Sequence, residues 1–237
     1  MSSWVAGADG CRLGWFVVLR ELSSGTFRYR RVASFSELLR LPERPRVVAI
    51  DIPIGLLTAA EPGGRPCDRE ARRLLAPKRS SSVFSPPAYS ALPFDEYCLA
   101  LGENRASSNF CVGIAKQAFA LFDKLREVHD VMTPRLQDHI FEIHPEVSFF
   151  RLTKKPNRHS KKRSAGRAER IAALKGFSPV VRRLKNYRPE GVGWDDCLDA
   201  CVACWTAMRI AAGRAVCLKG GIVSRRDSHG LRMEIWS

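Results

Sequence analysis

No apolar stretch of this chain approaches the roughly 18 residues that a membrane-spanning helix requires, so neither a helical membrane span nor a membrane partner is expected. The opening residues, Met1-Ser2-Ser3-Trp4, carry no basic n-region and run straight into a strand pattern. A secretory leader is therefore not expected, and a soluble cytoplasmic protein is. Without a leader, the eight cysteines are not expected to pair as disulfides. Cys197, Cys201 and Cys204 do form C-x3-C-x2-C, the spacing of the iron–sulfur site in radical-SAM enzymes. Their i, i+4, i+7 positions, however, trace one face of a helix, where small buried side chains are the expectation. The chain also lacks a P-loop, an internal repeat and any linker clean enough to divide it.

Acidic residues are scarce too, with 24 Asp and Glu against 39 Lys and Arg, a net charge of +15. Much of that excess lies between Arg151 and Glu190, where fourteen basic residues face only Glu169 and Glu190. Such density favours a polyanionic partner, namely nucleic acid, DNA or RNA; an Arg-rich, solvated surface loop is the plainer reading. At 45% hydrophobic and 27% charged, the 237 residues can bury a core and do not have the composition of a disordered chain.

Val5–Ala8, Trp15–Leu19 and Phe27–Val32 read as consecutive strands, the first two joined by the glycine-bearing turn Asp9 to Gly14. Ser34 to Leu41 reads as a short helix stopped by Pro42, and Arg46–Ile52 as a central strand buried on both faces. Residues 56–109 are irregular and proline-rich, an insertion with one short helix at Asp68–Leu75. A helical period runs from Phe110 to Val131, and Phe141–His144 reads as a fifth strand halted by Pro145. After the basic segment, about 151–190, the pattern predicts a helix from Asp196 to about Gly213, then weak strands at Val216–Leu218 and Met233–Trp236. The expectation is one α/β domain over 1–237, with a mixed five-stranded sheet, helices on both faces, and a large insertion between the fourth and fifth strands.

Five acids fall at the ends of, or inside, these apolar stretches: Asp9, Asp51, Glu142, Asp196 and Asp199. Carboxylates rarely occupy such places unless a cation gathers them. Asp196 and Asp199, at i and i+3, share a helix face, and the helix N-terminus helps to hold them ionised. Each acid has a plainer role available. Asp9 precedes Gly10 as a turn residue, one of Asp195 and Asp196 caps the helix, and Glu142 and Glu146 suit ion pairs with the insertion's arginines. Glu146, beyond the strand end, ranks slightly ahead of Glu142 as a site residue.

The stretches Gly7-Ala-Asp9-Gly-Cys-Arg-Leu-Gly-Trp15, Ala49-Ile-Asp51-Ile-Pro-Ile-Gly-Leu56, Cys67-Asp-Arg-Glu-Ala-Arg72, Arg79-Ser-Ser-Ser-Val-Phe84, Glu142-Ile-His-Pro-Glu146 and Asp195-Asp-Cys-Leu-Asp199-Ala200 resemble the family known as domain of unknown function four-two-nine. The resemblance covers nearly the whole chain. It implies a three-layer ribonuclease H-like fold and, as that family is described, a nuclease. The Asp196-x-x-Asp199-Ala pattern is also similar to the last helix of junction resolvases, which hold two Mg²⁺ ions with acids of the first strand, fourth strand and this helix. Those enzymes work as dimers, so a homodimer is open here, although no segment marks a dimer face.

Two-metal phosphodiester hydrolysis needs ions about 3.5–4 Å apart, clamping attacking and leaving oxygens, and Mg²⁺ or Mn²⁺ takes oxygen ligands. Asp9, Asp51, Glu146, Asp196 and Asp199 are the expected catalytic set, and Asp9, Asp51, Glu142, Asp196 and Asp199 the expected metal ligands. Arg72, Arg79, Ser81 within Ser80–Ser82, and Lys154, with Lys116 behind them, are candidate phosphate contacts, with solvation and helix-surface roles as the alternative. His144 is a candidate for positioning water or the leaving group, or simply a packed residue. Tyr89, Tyr97, Tyr187 and Trp194 are the best candidates for base stacking. Two rivals to the nuclease stand: a non-catalytic basic binder of nucleic acid, and an actin-like phosphotransferase or ATPase, which 237 residues leave little room for because that class closes two such domains over a nucleotide.

Overall fold

Trp4–Cys11 (β1), Gly14–Glu21 (β2) and Phe27–Val32 (β3) form an antiparallel meander in the computed structural model, which describes residues 3–237. The β1–β2 connection is a two-residue turn between Cys11 and Gly14. Gly14 takes φ +127°, and a Cβ there would meet the Val32 carbonyl oxygen at 2.0 Å, so only glycine fits. Val47–Ile50 (β4) pairs parallel to β1, and Ile140–Glu142 (β5) parallel to β4. The sheet is therefore mixed, in the order β3-β2-β1-β4-β5. All four residues of β4 are buried, which explains its unbroken Val-Val-Ala-Ile sequence.

In chain order the helices are Phe35–Leu39 (α1), Pro66–Leu75 (α2), Tyr97–Ala106 (α3), Lys116–Phe119 (α4), Phe122–His129 (α5), Pro145–Thr153 (α6), Ser164–Ala173 (α7), Ser178–Asn186 (α8) and Trp194–Ala211 (α9). Two further strands, Cys217–Leu218 (β6) and Ile235–Trp236 (β7), lie outside the main sheet, where weak strands are expected. Among the described residues, no helix is long and apolar enough to cross a membrane.

The described residues divide into two compact units. The first runs to Ile52 and resumes over His139–Val216 and Trp236–Ser237; the second comprises Pro53–Asp138 and Cys217–Ile235. The 56–109 stretch read as an insertion thus lies inside a longer second unit. In the first unit, helices cover both faces of the sheet. On one face Phe35 of α1 packs on Trp15, ring centroids 5.5 Å apart. On the other, α9 lies along β1 with Ala200, Cys201, Ala203, Cys204 and Ala207 all buried. Its three cysteines, Cys197, Cys201 and Cys204, are buried within the helix, as the helical spacing predicts.

The basic segment is not a surface loop. It folds into α7 and α8, whose Val180, Val181 and Leu184, with Leu174 and Phe177 between the helices, are buried in the same core as β1 and α9. Each such apolar side chain contributes roughly 1.5–3 kcal/mol on burial. Phe177 meets Phe27 of β3 at 5.0 Å. The positive charge therefore rides on an ordered, half-apolar helical layer.

Within the second unit, the single helix expected from Phe110 to Val131 is shorter and divided. Residues 110–115 are not helical, and Leu121 donates to the Ala118 carbonyl at 3.1 Å, an i−3 bond that tightens the chain between α4 and α5. The proline-rich stretch holds a second helix, α3. Buried Asn104 there accepts from the Ala88 amide and donates to the Val112 carbonyl, both at 2.7 Å. Those bonds let a side chain replace the backbone ladder that an irregular segment lacks.

Candidate metal centre

Asp9 does not end its strand but sits inside β1, paired with Phe16 of β2, on the face that carries Gly7 and meets α9. The turn reading of Asp9 is therefore set aside. Asp51 follows β4 directly, and its amide donates to the Ala8 carbonyl at 3.1 Å, which fixes it beside Asp9. Asp199 comes from the second turn of α9. One carboxylate oxygen from each of Asp9, Asp51 and Asp199 lies within 4.8 Å of the others, with Asp9 and Asp199 buried and Asp51 partly so.

Gly7 makes this convergence possible. A Cβ at Gly7 would stand 1.9 Å from the Cys204 amide nitrogen and 2.5 Å from the Ala200 carbonyl oxygen. Backbone therefore meets backbone where α9 crosses β1, and Asp199 is brought down onto Asp9.

Burial is the main force on all three carboxyls. It pushes Asp9 well above the ordinary carboxylate range, and the charges of Asp51 and Asp199 push the same way. Burial likewise raises Asp51 to about 8, with Asp199 the next contributor. Asp199 is raised by burial and eased by Lys161. Lys161 donates from Nζ to Asp199 Oδ2 at 2.6 Å. Although 41% of the Lys161 side chain faces solvent, its ammonium head is drawn onto the acids. Desolvation pulls its pKa down, but Asp199, Asp9 and Asp51 outweigh that and hold it well above its usual value.

Asp199 Oδ1, by contrast, is buried with no hydrogen-bond partner among the described residues. A buried carboxylate oxygen left so is costly unless something cationic takes it. Three converging oxygen donors, one unspent, fit a divalent cation of the hard, oxygen-preferring kind.

The other acids are placed differently. Asp196 accepts from the Gly193 amide at 2.7 Å and caps its own helix, the plainer of its two sequence readings, although its charge is felt at Asp9. Glu142 is buried at the end of β5, and its charge raises Asp51. Glu146, in the first turn of α6, is engaged by Arg170 Nη2 on one oxygen and by Asn157 Nδ2, at 3.0 Å, on the other. Its charge also raises Asp51 and Asp199, so Glu146 and Glu142 both act on the triad, Glu146 with an arginine and an amide as partners.

His144 is the residue that precedes α6. Lys154 stands exposed at the left-handed end of that helix, φ +60°. Arg72, Arg79 and Ser81 all belong to the second unit. Arg72 is spent there on the Val83 and Gly63 carbonyls and on Ser85 Oγ, so it holds loops together instead of offering a free fork. Neighbouring Asp68 pairs with buried Arg65 at 2.7 Å, which makes the Cys67-to-Arg72 motif an architectural one. Sequence reasoning did not single out Lys161, Arg170 or Gly7; the two cations were hidden among twelve other basic residues, and Gly7 among ordinary strand residues.

A model of the family described as protein of unknown function (DUF429) matches residues 7–221. No curated protein and no solved structure matches the chain.

Proposed function

The chain belongs to the family described as protein of unknown function (DUF429), and from its site we propose a divalent-metal-dependent hydrolase that cuts phosphodiester bonds in nucleic acid. The observation that carries this reading is the Asp9–Asp51–Asp199 triad, with its buried, unspent Asp199 oxygen, beside a layer of basic helices. The strand order β3-β2-β1-β4-β5, with acids on the first strand, after the fourth and on α9, supports the ribonuclease H-like assignment that the sequence resemblance implies. An all-oxygen donor set favours Mg²⁺ or Mn²⁺. All eight cysteines are free thiols, in keeping with a reducing cytoplasm.

Asp9, Asp51 and Asp199 would hold the ion, and Glu142, Glu146 and Asp196, whose charges act on the triad, are the further acids for a second. A bound ion supplies Lewis acidity at the phosphoryl oxygen and a more acidic water. Lys161 neutralises the carboxylates until a cation replaces it on Asp199, and its ammonium is then free to meet the negative charge of a substrate phosphate. The arginines of α7 and the chain before α9 draw in the polyanion.

Cleavage of a labelled panel of single-stranded, duplex, hybrid and branched DNA and RNA, with Mg²⁺ or Mn²⁺, tests the proposal against Asp9→Asn and Asp199→Asn. Metal-dependent cutting lost in both variants supports it. Binding without cutting, indifferent to EDTA and to both substitutions, would leave a basic nucleic-acid binder with structural carboxylates.

A further inference from the structure

Beside the triad, on the side of α7 and the start of α9, lies a pocket of about 390 Å³ lined by Lys161, Lys162, Arg167, Arg170, Arg188 and Trp194, closed by Leu198 and a single acid, Asp195. Of its five cations, Lys161 is paired with Asp199 and Arg170 with Glu146, which leaves Lys162, Arg167 and Arg188 to face Asp195. Lys161 belongs to both places, since the same side chain lines this pocket and reaches Asp199. Leu198 is the neighbour of Asp199 on α9, so pocket and triad adjoin.

Arg170 is the fixed member of the set. It is 1% exposed and anchored by Glu146, by the Gly166 carbonyl at 3.0 Å and by the His159 carbonyl at 3.3 Å. Its Nε nevertheless has no hydrogen-bond partner among the described residues. The guanidinium groups of Arg167 and Arg188 lie 5.8 and 5.3 Å from the Trp194 ring, which holds two flexible side chains at the pocket wall. Apart from the Trp194 indole N–H, every polar side chain in the lining is charged, so the pocket responds chiefly to charge.

An internal phosphodiester carries one negative charge, which one or two cations satisfy. A terminal phosphomonoester carries about −1.5 to −2 at neutral pH and three strong acceptor oxygens, a better match for Lys162, Arg167 and Arg188 together, with the paired Lys161 and Arg170 beside them. We infer that this pocket takes the terminal phosphate of a nucleic-acid strand whose nearby phosphodiester is delivered to the acidic triad. The inference deepens, and rests on, the hydrolase reading, by making the substrate class a strand with a phosphorylated end.

The test is binding in EDTA, independent of turnover. Calorimetry with inorganic pyrophosphate, at constant ionic strength, compares the wild type with Arg188→Gln/Lys162→Gln and with the charge-preserving Arg188→Lys. Fluorescence anisotropy then compares strands with a 5′-phosphate, a 3′-phosphate or hydroxyl ends. The expected result is pyrophosphate binding weakened about tenfold or more in the double Gln variant, retained in Arg188→Lys. One phosphorylated end should also be preferred by the wild type, and that preference should vanish in the double variant.

Absence of pyrophosphate binding, equal affinity for all three strands, or a preference untouched by the double variant would each overturn the inference. Cleavage with Mn²⁺ by a protein blind to end phosphates removes the pocket's role and keeps the hydrolase. An end preference lost in the variant, without cleavage of any strand, keeps the pocket as a phosphate-end receptor and removes the hydrolase.

Discussion

Lys161 Nζ sits 2.6 Å from Asp199 Oδ2, while Asp199 Oδ1, buried on the same carboxylate, meets no hydrogen-bond donor among the described residues. One oxygen of the buried carboxylate is neutralised by lysine and the other is left for whatever cation enters. Lysine and a divalent ion are therefore competitors for Asp199. Lys161→Met should lower the melting temperature of metal-free protein at pH 8 and enlarge the stabilisation gained on adding Mn²⁺. Thermal melts with EDTA and with Mn²⁺ measure both; an unchanged metal response would mean that lysine and ion do not share the site.

Asp9 is surrounded by like charge, with Asp51, Asp199 and Asp196 all raising it. Asp9→Asn should melt higher than wild type in EDTA, because a buried repulsion is gone. It should also lose metal stabilisation, which for an ion at a hundred times its dissociation constant is worth about 2.7 kcal/mol. Calorimetric Mn²⁺ titration alongside the melts separates these two effects.

The raised carboxyls fix the direction of the pH dependence. Asp51 stands at about 8 in the folded protein, against roughly 4 in an unfolded chain. Between those values the folded state holds more protons than the unfolded one, so stability falls as pH rises through that window. Metal-free protein should thus lose melting temperature from about pH 5 to 8, and Mn²⁺ should flatten the decline by replacing the proton. Asp51→Asn should flatten it without metal.

Gly7→Ala tests the helix–strand crossing. The added carbon would meet the Cys204 amide nitrogen at 1.9 Å, and backbone cannot swing aside as a side chain does. A loss of about 3 kcal/mol or more is expected, with weaker Mn²⁺ binding as α9 is displaced. Urea denaturation measures the first and calorimetry the second.

Arg65 anchors the second unit. It is 1% exposed, pairs with Asp68, and donates to the Ile54 and Gly55 carbonyls at 3.0 and 3.1 Å. Arg65→Ala strands a buried carboxylate and should cost about 3–5 kcal/mol. Limited proteolysis should then cut preferentially within residues 53–138.

Much of this was legible in advance, for physical reasons. Short apolar runs bounded by turn residues announced β1 to β4, and the unbroken run of β4 announced a strand buried on both faces. The i, i+4, i+7 cysteines announced a buried helix, and Asp9, Asp51 and Asp199 stood out as charges where burial was expected. Other features were not legible. Whether Asp196 caps or ligates depends on a single hydrogen bond to Gly193, and whether Glu146 carries a partner depends on where Arg170 lies. The division near Ala120 is a local tightening with no proline or glycine to signal it.

The order of apolar segments, with their acids, was enough to determine which chain segments are strands and that three carboxylates lie near buried ends, because burial of a periodic face is a local property of sequence. Only the tertiary structure decided that Lys161 lies on Asp199, that Arg170 takes Glu146, and that five cations converge on one pocket. Those contacts join residues 24 to 38 positions apart, and nothing local distinguishes one lysine in a basic run from the next until folding chooses which of them faces the acids.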